Sequence, residues 1–84
     1  MKVNVTVKRV LTQSIIQQYH LDIDPADVLA TFEESRKVWD EFHVEFESED
    51  PITPFKLRCH KTYKQEMMDR QYMLDLHEEV AGEE

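Results

Sequence analysis

Residues 24–39, DPADVLATFEESRKVW, constrain the fold most, because they predict a helix with a defined start. Asp24 is a suitable N-cap, since its carboxylate can accept a hydrogen bond from a free N–H of the first turn. Pro25 follows at the first helical position, where the N–H that proline lacks would have no partner. The residues of one helical stripe are apolar, apart from the head of an arginine: Val28, Leu29, Phe32, Arg36 and Trp39. We predict that this stripe packs on the rest of the chain, with Phe32 and Trp39 in the core.

The residues before this helix predict two strands. Over residues 2–11, Val3, Val5 and Val7 alternate with polar residues, as in a strand with one buried face. Residues 15–23 alternate in the same way and place Ile15 and Tyr19 on one face. Residues 12–14 are the turn between them, although they lack the Gly or Asn of a tight hairpin. The simplest arrangement is an antiparallel hairpin that leads into the helix.

The residues after the helix return to a period of two. Residues 42–47 predict a third strand, and 48–54, SEDPITP, predict a loop because proline and acidic residues favour turns. Residues 55–60 predict a short fourth strand, with a helix starting near Phe55 as the alternative. Antiparallel pairing of these two strands would set Glu45 and Glu47 across from Lys56 and Arg58, which favours the pair.

Residues 62–81 predict a second helix, whose apolar residues lie on two sides rather than in one stripe. A helix with two apolar sides is usually packed on both, so we predict that it packs on its own sheet with one side and on a second copy with the other, as a homodimer. A helix buried more completely inside the monomer is the alternative. The predicted oligomer interface consists of Met68, Tyr72, Met73, Leu76 and Val80. The sequence therefore predicts one α+β domain over 1–84, an antiparallel sheet of about four strands with two helices in the order β-β-α-β-β-α.

The net charge of −8 restricts the class of partner. Direct binding to nucleic acid or to an anionic membrane requires clustered Lys and Arg, so the charge argues against both and favours a basic protein surface. Cys59 is the only cysteine, which excludes an internal disulfide and fits the cytoplasm. The N-terminus alternates without an apolar run, so we expect no signal peptide and no membrane span.

An acidic block around the third strand is the predicted partner-binding surface. Its residues are Glu41, Glu45, Glu47, Glu49 and Asp50. Alternate carboxylates along a strand are about 6.6–7 Å apart, which resembles the phosphate spacing of a nucleic-acid strand. A solvated strand face is the simpler interpretation of the same pattern.

No catalytic motif is present in the sequence, and we predict that the protein is not an enzyme and needs no cofactor. One set of residues offers an alternative. The strand assignment places His20, His43 and His60 on the face of the sheet away from the helices, where imidazoles that converge would bind zinc or nickel. A polar, solvated face is again the simpler interpretation.

The first half of the chain resembles a family of small phage-encoded host-takeover proteins. The strands VNVTVKRV and SIIQQYHLDI, the helix DPADVLATFEESRKVW and the strand FHVEFES are similar in order, size and acidity to the short β-β-α-β inhibitor of bacterial RNA polymerase and to several anti-CRISPR proteins. The resemblance covers residues 2–48. It implies a stoichiometric inhibitor, encoded by a phage or mobile element, that docks on a basic surface of a nucleic-acid-handling host protein. A structural oligomerisation module using the C-terminal helix is the alternative function.

Overall fold

A computed structural model describes residues 1–70, which form an α+β fold. Its elements are β1 (Lys2–Lys8), β2 (Ile15–Asp22), α1 (Val28–Val38), β3 (His43–Ser48), β4 (Lys56–Arg58) and α2, which is helical over 63–70. The strands form one antiparallel sheet in the order β2-β1-β3-β4. The predicted fold class and element order are confirmed.

Strand β1 lies at the centre of the sheet and supplies much of the core. It pairs with β2 on one side and with β3 on the other. Val3, Val5 and Val7 are fully buried, as the alternation predicts. Buried β-branched side chains of this kind pack well on a pleated surface, so β1 joins the two halves of the sheet into one core.

The hairpin between β1 and β2 differs from the prediction at its closed end. Strand β1 stops at Lys8, and Gln13 adopts a left-handed backbone with φ of 59° where Gly or Asn was expected. The Gln13 side chain donates a hydrogen bond to the Val10 carbonyl at 2.7 Å, which holds this turn. A β-bulge follows, because Gln17 lies opposite Val7 while Ile15 lies opposite Lys8. The prediction that Ile15 shares the face of Tyr19 is therefore wrong, and Ile15 is 56% exposed.

Helix α1 begins as predicted. The Asp24 carboxylate accepts a hydrogen bond from the Ala26 N–H at 3.0 Å, and a short 3-10 turn over Pro25–Asp27 leads into the α-helix. The side chains buried along α1 follow a spacing of four: Val28, Phe32 and Arg36. This line is narrower than the predicted stripe, so Leu29 stays 67% exposed and its prediction as a packing residue is wrong.

The contact between α1 and the sheet is centred on two aromatic rings. Phe32 of α1 packs edge to face on Phe46 of β3, with ring centroids 5.2 Å apart. Trp39, half-buried after the end of α1, makes a similar contact with Phe42 at 6.0 Å. Edge-to-face geometry aligns the positive ring edge with the negative ring face, so both pairs stabilise the packing beyond their buried area.

Strands β3 and β4 pair in the predicted register. Glu45 lies opposite Arg58 and Glu47 lies opposite Lys56. Residues 56–58 are a strand, which decides against the alternative helix near Phe55. The Asp50 carboxylate accepts hydrogen bonds within the loop before β4.

Helix α2 begins with a capping box at Thr62 and Gln65. The Thr62 hydroxyl accepts from the Gln65 N–H, and the Gln65 side-chain oxygen accepts from the Thr62 N–H, each at 3.1 Å. Thr62 is 3% exposed, so this cap is part of the packed structure. The remainder of the predicted helix, beyond residue 70, lies outside the described residues.

Candidate protein-binding surface

Three of the five predicted partner-binding carboxylates contact basic or imidazole groups of the same chain. These contacts join Glu41 to Lys64 at 2.8 Å, Glu45 to Lys8 at 3.3 Å and Glu49 to His20 at 2.7 Å. The hydrogen bond and charge of Lys64 lower the pKa of the Glu41 carboxyl. A basic partner would have to compete with these contacts.

The outer face of the sheet, away from the helices, is consequently neutral in formal charge rather than acidic. The register places four basic residues on this face among four acidic ones: Lys2, Lys8, Lys56 and Arg58 with Asp22, Glu45, Glu47 and Glu49. Because opposite charges are interleaved, the attractive field that this face offers to a basic protein is weak.

Asp50 has a structural role in the loop before β4. Its carboxylate accepts hydrogen bonds from the Ile52 N–H at 2.9 Å and from the Thr53 hydroxyl at 3.0 Å. These two bonds lower the pKa of the Asp50 carboxyl, which therefore stays charged at neutral pH. Asp50 thus organises the loop and keeps a negative charge there.

The three predicted histidines do not form one site. On β1, the residues opposite His20 and His43 are Asn4 and Lys8, four positions apart, which is about 13 Å along a strand. His43 and His60 line the same shallow pocket together with Cys59. Within residues 1–70, no three His, Cys, Asp or Glu side chains are placed to hold a metal ion.

The sequence did not predict the buried ionic cluster around Arg36. The sequence pattern counted only the aliphatic part of the Arg36 side chain, as a member of the apolar stripe. Arg36 is 6% exposed, and its Nη2 and Nη1 atoms lie 2.6 Å from Glu66 and 3.4 Å from Glu33. Burial alone would lower the pKa of Arg36, but the neighbouring Glu66, with Cys59 and Glu33, outweighs it and raises the pKa. The cluster joins α1 to α2.

Cys59 lies beside this cluster and is half-buried. Burial raises the pKa of its thiol, and the carboxylates of Glu66 and Glu33 act in the same direction, although the Arg36 charge opposes them. A thiol with a raised pKa is a poor nucleophile at neutral pH. Cys59 therefore acts as a small packing residue at the edge of the core.

An open apolar groove of 290 Å³ runs between the start of α1 and the segment that enters β4. Most of its lining is apolar: Met1, Pro25, Val28, Leu29, Phe55 and Leu57. Leu29 is exposed here because no described side chain covers it, and Ile52 in the adjoining loop is 86% exposed. Clustered exposed apolar side chains of this kind are typical of a surface that binds another molecule.

Three carboxylates belong to residues next to the lining of this groove, either along the chain or through a hydrogen bond. Asp24 and Asp27 flank the 3-10 turn that supplies Pro25, and Asp50 is hydrogen-bonded to Thr53, which also lines the groove. Among residues 1–70, none of these three carboxylates forms an ion pair with a side-chain cation. One positive charge is nearby, the N-terminal ammonium of Met1, which pairs with Asp22 and helps to lower the pKa of Asp50. The groove therefore combines an apolar floor with a net negative border, which suits an apolar side chain next to a basic one. The sequence alone did not bring these segments together.

Of the five residues of the predicted oligomer interface, the structure describes only Met68. Met68 is 64% exposed on α2, next to Met67 at 44%. The other four predicted residues, Tyr72, Met73, Leu76 and Val80, lie outside the described residues.

No helix in residues 1–70 is both long enough and apolar enough to cross a membrane. Comparison of the chain with protein-family models, with curated proteins and with solved structures found no match.

Proposed function

We propose that this protein is a non-catalytic, acidic protein-binding module that engages a basic partner at the groove between α1 and β4. The observation that carries the proposal is an exposed apolar floor bordered by Asp24, Asp27 and Asp50, which are without side-chain cations in the described part of the chain. Apolar burial would supply affinity, while the carboxylates would select basic partners and speed their encounter.

The partner that fits this chemistry is a nucleic-acid-handling protein, because such proteins present clustered Lys and Arg on their surfaces. An inhibitor encoded by a phage or mobile element, acting in the cytoplasm of the host, is the narrower form of the proposal. This narrower form rests on the resemblance of residues 2–48 in pattern, size and acidity.

The groove is a better candidate than the acidic strand β3 for a physical reason. The carboxylates of β3 are interleaved with Lys8, Lys56 and Arg58 on the outer face, so a basic partner would gain little there. At the groove a basic partner would meet free carboxylates and would also cover Leu29. At this site both effects act in the same direction.

Substitutions along α1 test this assignment with a matched control. Leu29→Lys and Asp27→Lys each place a cation at the groove, and Asp27 makes no side-chain capping bond that would be lost. Val38→Lys places the same cation at the far end of α1, where Val38 is 74% exposed. The three variants should fold alike, since the replaced side chains are all on the surface.

Binding is measured by NMR titration with a short peptide of alternating Leu and Lys. The amide shifts of the unchanged chain should cluster at Val28, Leu29 and Phe55 and should weaken with salt. Leu29→Lys and Asp27→Lys should each weaken binding about tenfold, whereas Val38→Lys should not. Shifts centred on β3, or equal affinity for all three variants, would contradict the groove as the binding site.

Capture from a host lysate at low and high salt extends the same comparison to natural partners. The unchanged chain and Val38→Lys should retain a basic protein that Leu29→Lys loses. If all three α1 variants retain the captured protein but Glu47→Lys loses it, the binding site is the acidic strand β3 and not the groove.

A further inference from the structure

The outer edge of β2 is the longest strand edge without a partner in residues 1–70. Strand β2 has eight residues and pairs only with β1, whereas the opposite end of the sheet closes on the three-residue β4. Proteins usually protect long edges with lysine, proline or a bulge, because free backbone groups pair readily with another strand. Here the bulge at Ile16 interrupts the edge at one end and leaves a regular stretch from Gln17 to Asp22.

The alternation of the ladder identifies which backbone groups point outward. The Ile23 N–H donates to the Met1 carbonyl at 2.8 Å. In this ladder the backbone N–H and C=O groups of the odd-numbered residues of β2 therefore point toward β1. The N–H and C=O groups of Gln18 and His20 consequently point away from the sheet. They are the groups that a further strand would bond.

Most of this stretch carries no formal charge, and Asp22 at its end contacts the N-terminal ammonium of Met1 at 3.1 Å. Residues 17–21, QQYHL, contain neither acid nor base apart from the imidazole, in a chain whose net charge is −8. Two copies of so acidic a chain repel each other, and the lack of acidic residues at positions 17–21 lowers the cost of a close approach along this strip. The strip is also self-complementary, since antiparallel pairing requires outward-facing residues to meet and Gln18 can meet His20.

We propose that the free edge of β2 pairs antiparallel with the same edge of a second copy of this chain, about a two-fold axis at Tyr19. In this register Gln18 of each copy lies opposite His20 of the other, and Gln17 lies opposite Leu21. The two Tyr19 residues face each other at a non-hydrogen-bonded position, where cross-strand side chains are closest. The sheet of the dimer has eight strands.

Sedimentation equilibrium at about 100 μM tests the pairing, since mass action favours any weak dimer at this concentration. The unchanged chain should have about twice the monomer mass of 10.1 kDa. Gln18→Pro removes an outward N–H and leaves the backbone hydrogen bonds to β1 in place, so it should leave a folded monomer; the side-chain bond from Gln18 to the Thr6 hydroxyl at 3.4 Å is also lost. Leu29→Lys, which alters only the groove, should remain a dimer.

A cysteine cross-link tests the register and does not depend on the proline variant. Tyr19→Cys, made together with Cys59→Ser, should form a disulfide-linked dimer on mild oxidation, because Cα atoms at such a pair are about 4.5 Å apart. Ile52→Cys in the same background is the control, since Ile52 is more exposed but lies away from this edge. A monomeric chain, a dimer that persists in Gln18→Pro, or equal cross-linking of both cysteines would overturn the proposal.

Discussion

Arg36 is almost fully buried between the two helices, an unusual place for a charged side chain. Its stem packs in line with Val28 and Phe32, while its guanidinium contacts Glu66 of α2 and Glu33 of its own helix. The residue therefore contributes in two ways, by filling space under α1 and by fixing the position of α2. A hydropathy pattern detects the first contribution and not the second.

We expect Arg36→Ala to lower the free energy of unfolding by about 2–4 kcal/mol, because it leaves a cavity and a half-buried carboxylate without its cation. Chemical denaturation measures this change. Lys37→Ala is the control on the same helix, since Lys37 pairs with Glu34 at the exposed surface and should have little effect. Equal destabilisation by both variants would contradict the structural role of Arg36.

At the scale of elements, local signals determine where each helix begins. Asp24 caps the 3-10 turn that leads into α1, and Thr62 with Gln65 caps α2; each cap involves residues close together in the chain. The cap of α2 contributes to tertiary structure as well as to the helix, because Thr62 is buried. It also comes soon after β4 and Cys59 in the chain. Helix α2 therefore starts at a fixed point relative to the sheet.

We expect Thr62→Ala to cost about 1–2 kcal/mol of stability, since it removes the hydroxyl that accepts from the Gln65 N–H. Thr62→Ser keeps that hydroxyl and should recover most of the loss. Thermal unfolding compares the two variants with the unchanged chain. If the serine variant were as unstable as the alanine variant, lost methyl packing rather than capping would be the cause.

At the scale of the whole molecule, β1 connects β2 to β3, and β4 joins the sheet through β3. Among the strands of residues 1–70 it is the only one paired on both sides with long partners, and its three inward valines are fully buried. A chain of 84 residues has a small core, with total stability on the order of 4–12 kcal/mol. Loss of one central side chain should therefore destabilise the whole sheet.

Val5→Ala should reduce stability by about 2 kcal/mol, from the two lost methyl groups and the cavity they leave. Hydrogen exchange should show this loss equally in β2 and β3, because both strands hydrogen-bond to β1. Leu11→Ala, at a residue that is 95% exposed, should change neither the stability nor the hydrogen exchange of these strands. A loss of protection confined to β2 would show that the sheet does not unfold as one unit.

The sequence by itself determined the features that depend on nearby residues. Alternation placed the valines of β1 in the core, Asp24 marked the start of α1, and the opposite charges of β3 and β4 indicated their register. These signals are local because backbone geometry sets the period of side chains along each element.

Only the tertiary structure decided which elements are neighbours, and that determines the functional surface. The order β2-β1-β3-β4 places lysines beside the acidic strand and neutralises it, and it keeps His20 away from His43. Packing along one line of α1 leaves Leu29 exposed beside Phe55, which creates the groove. These properties depend on contacts between residues far apart in the chain, and no local period encodes them.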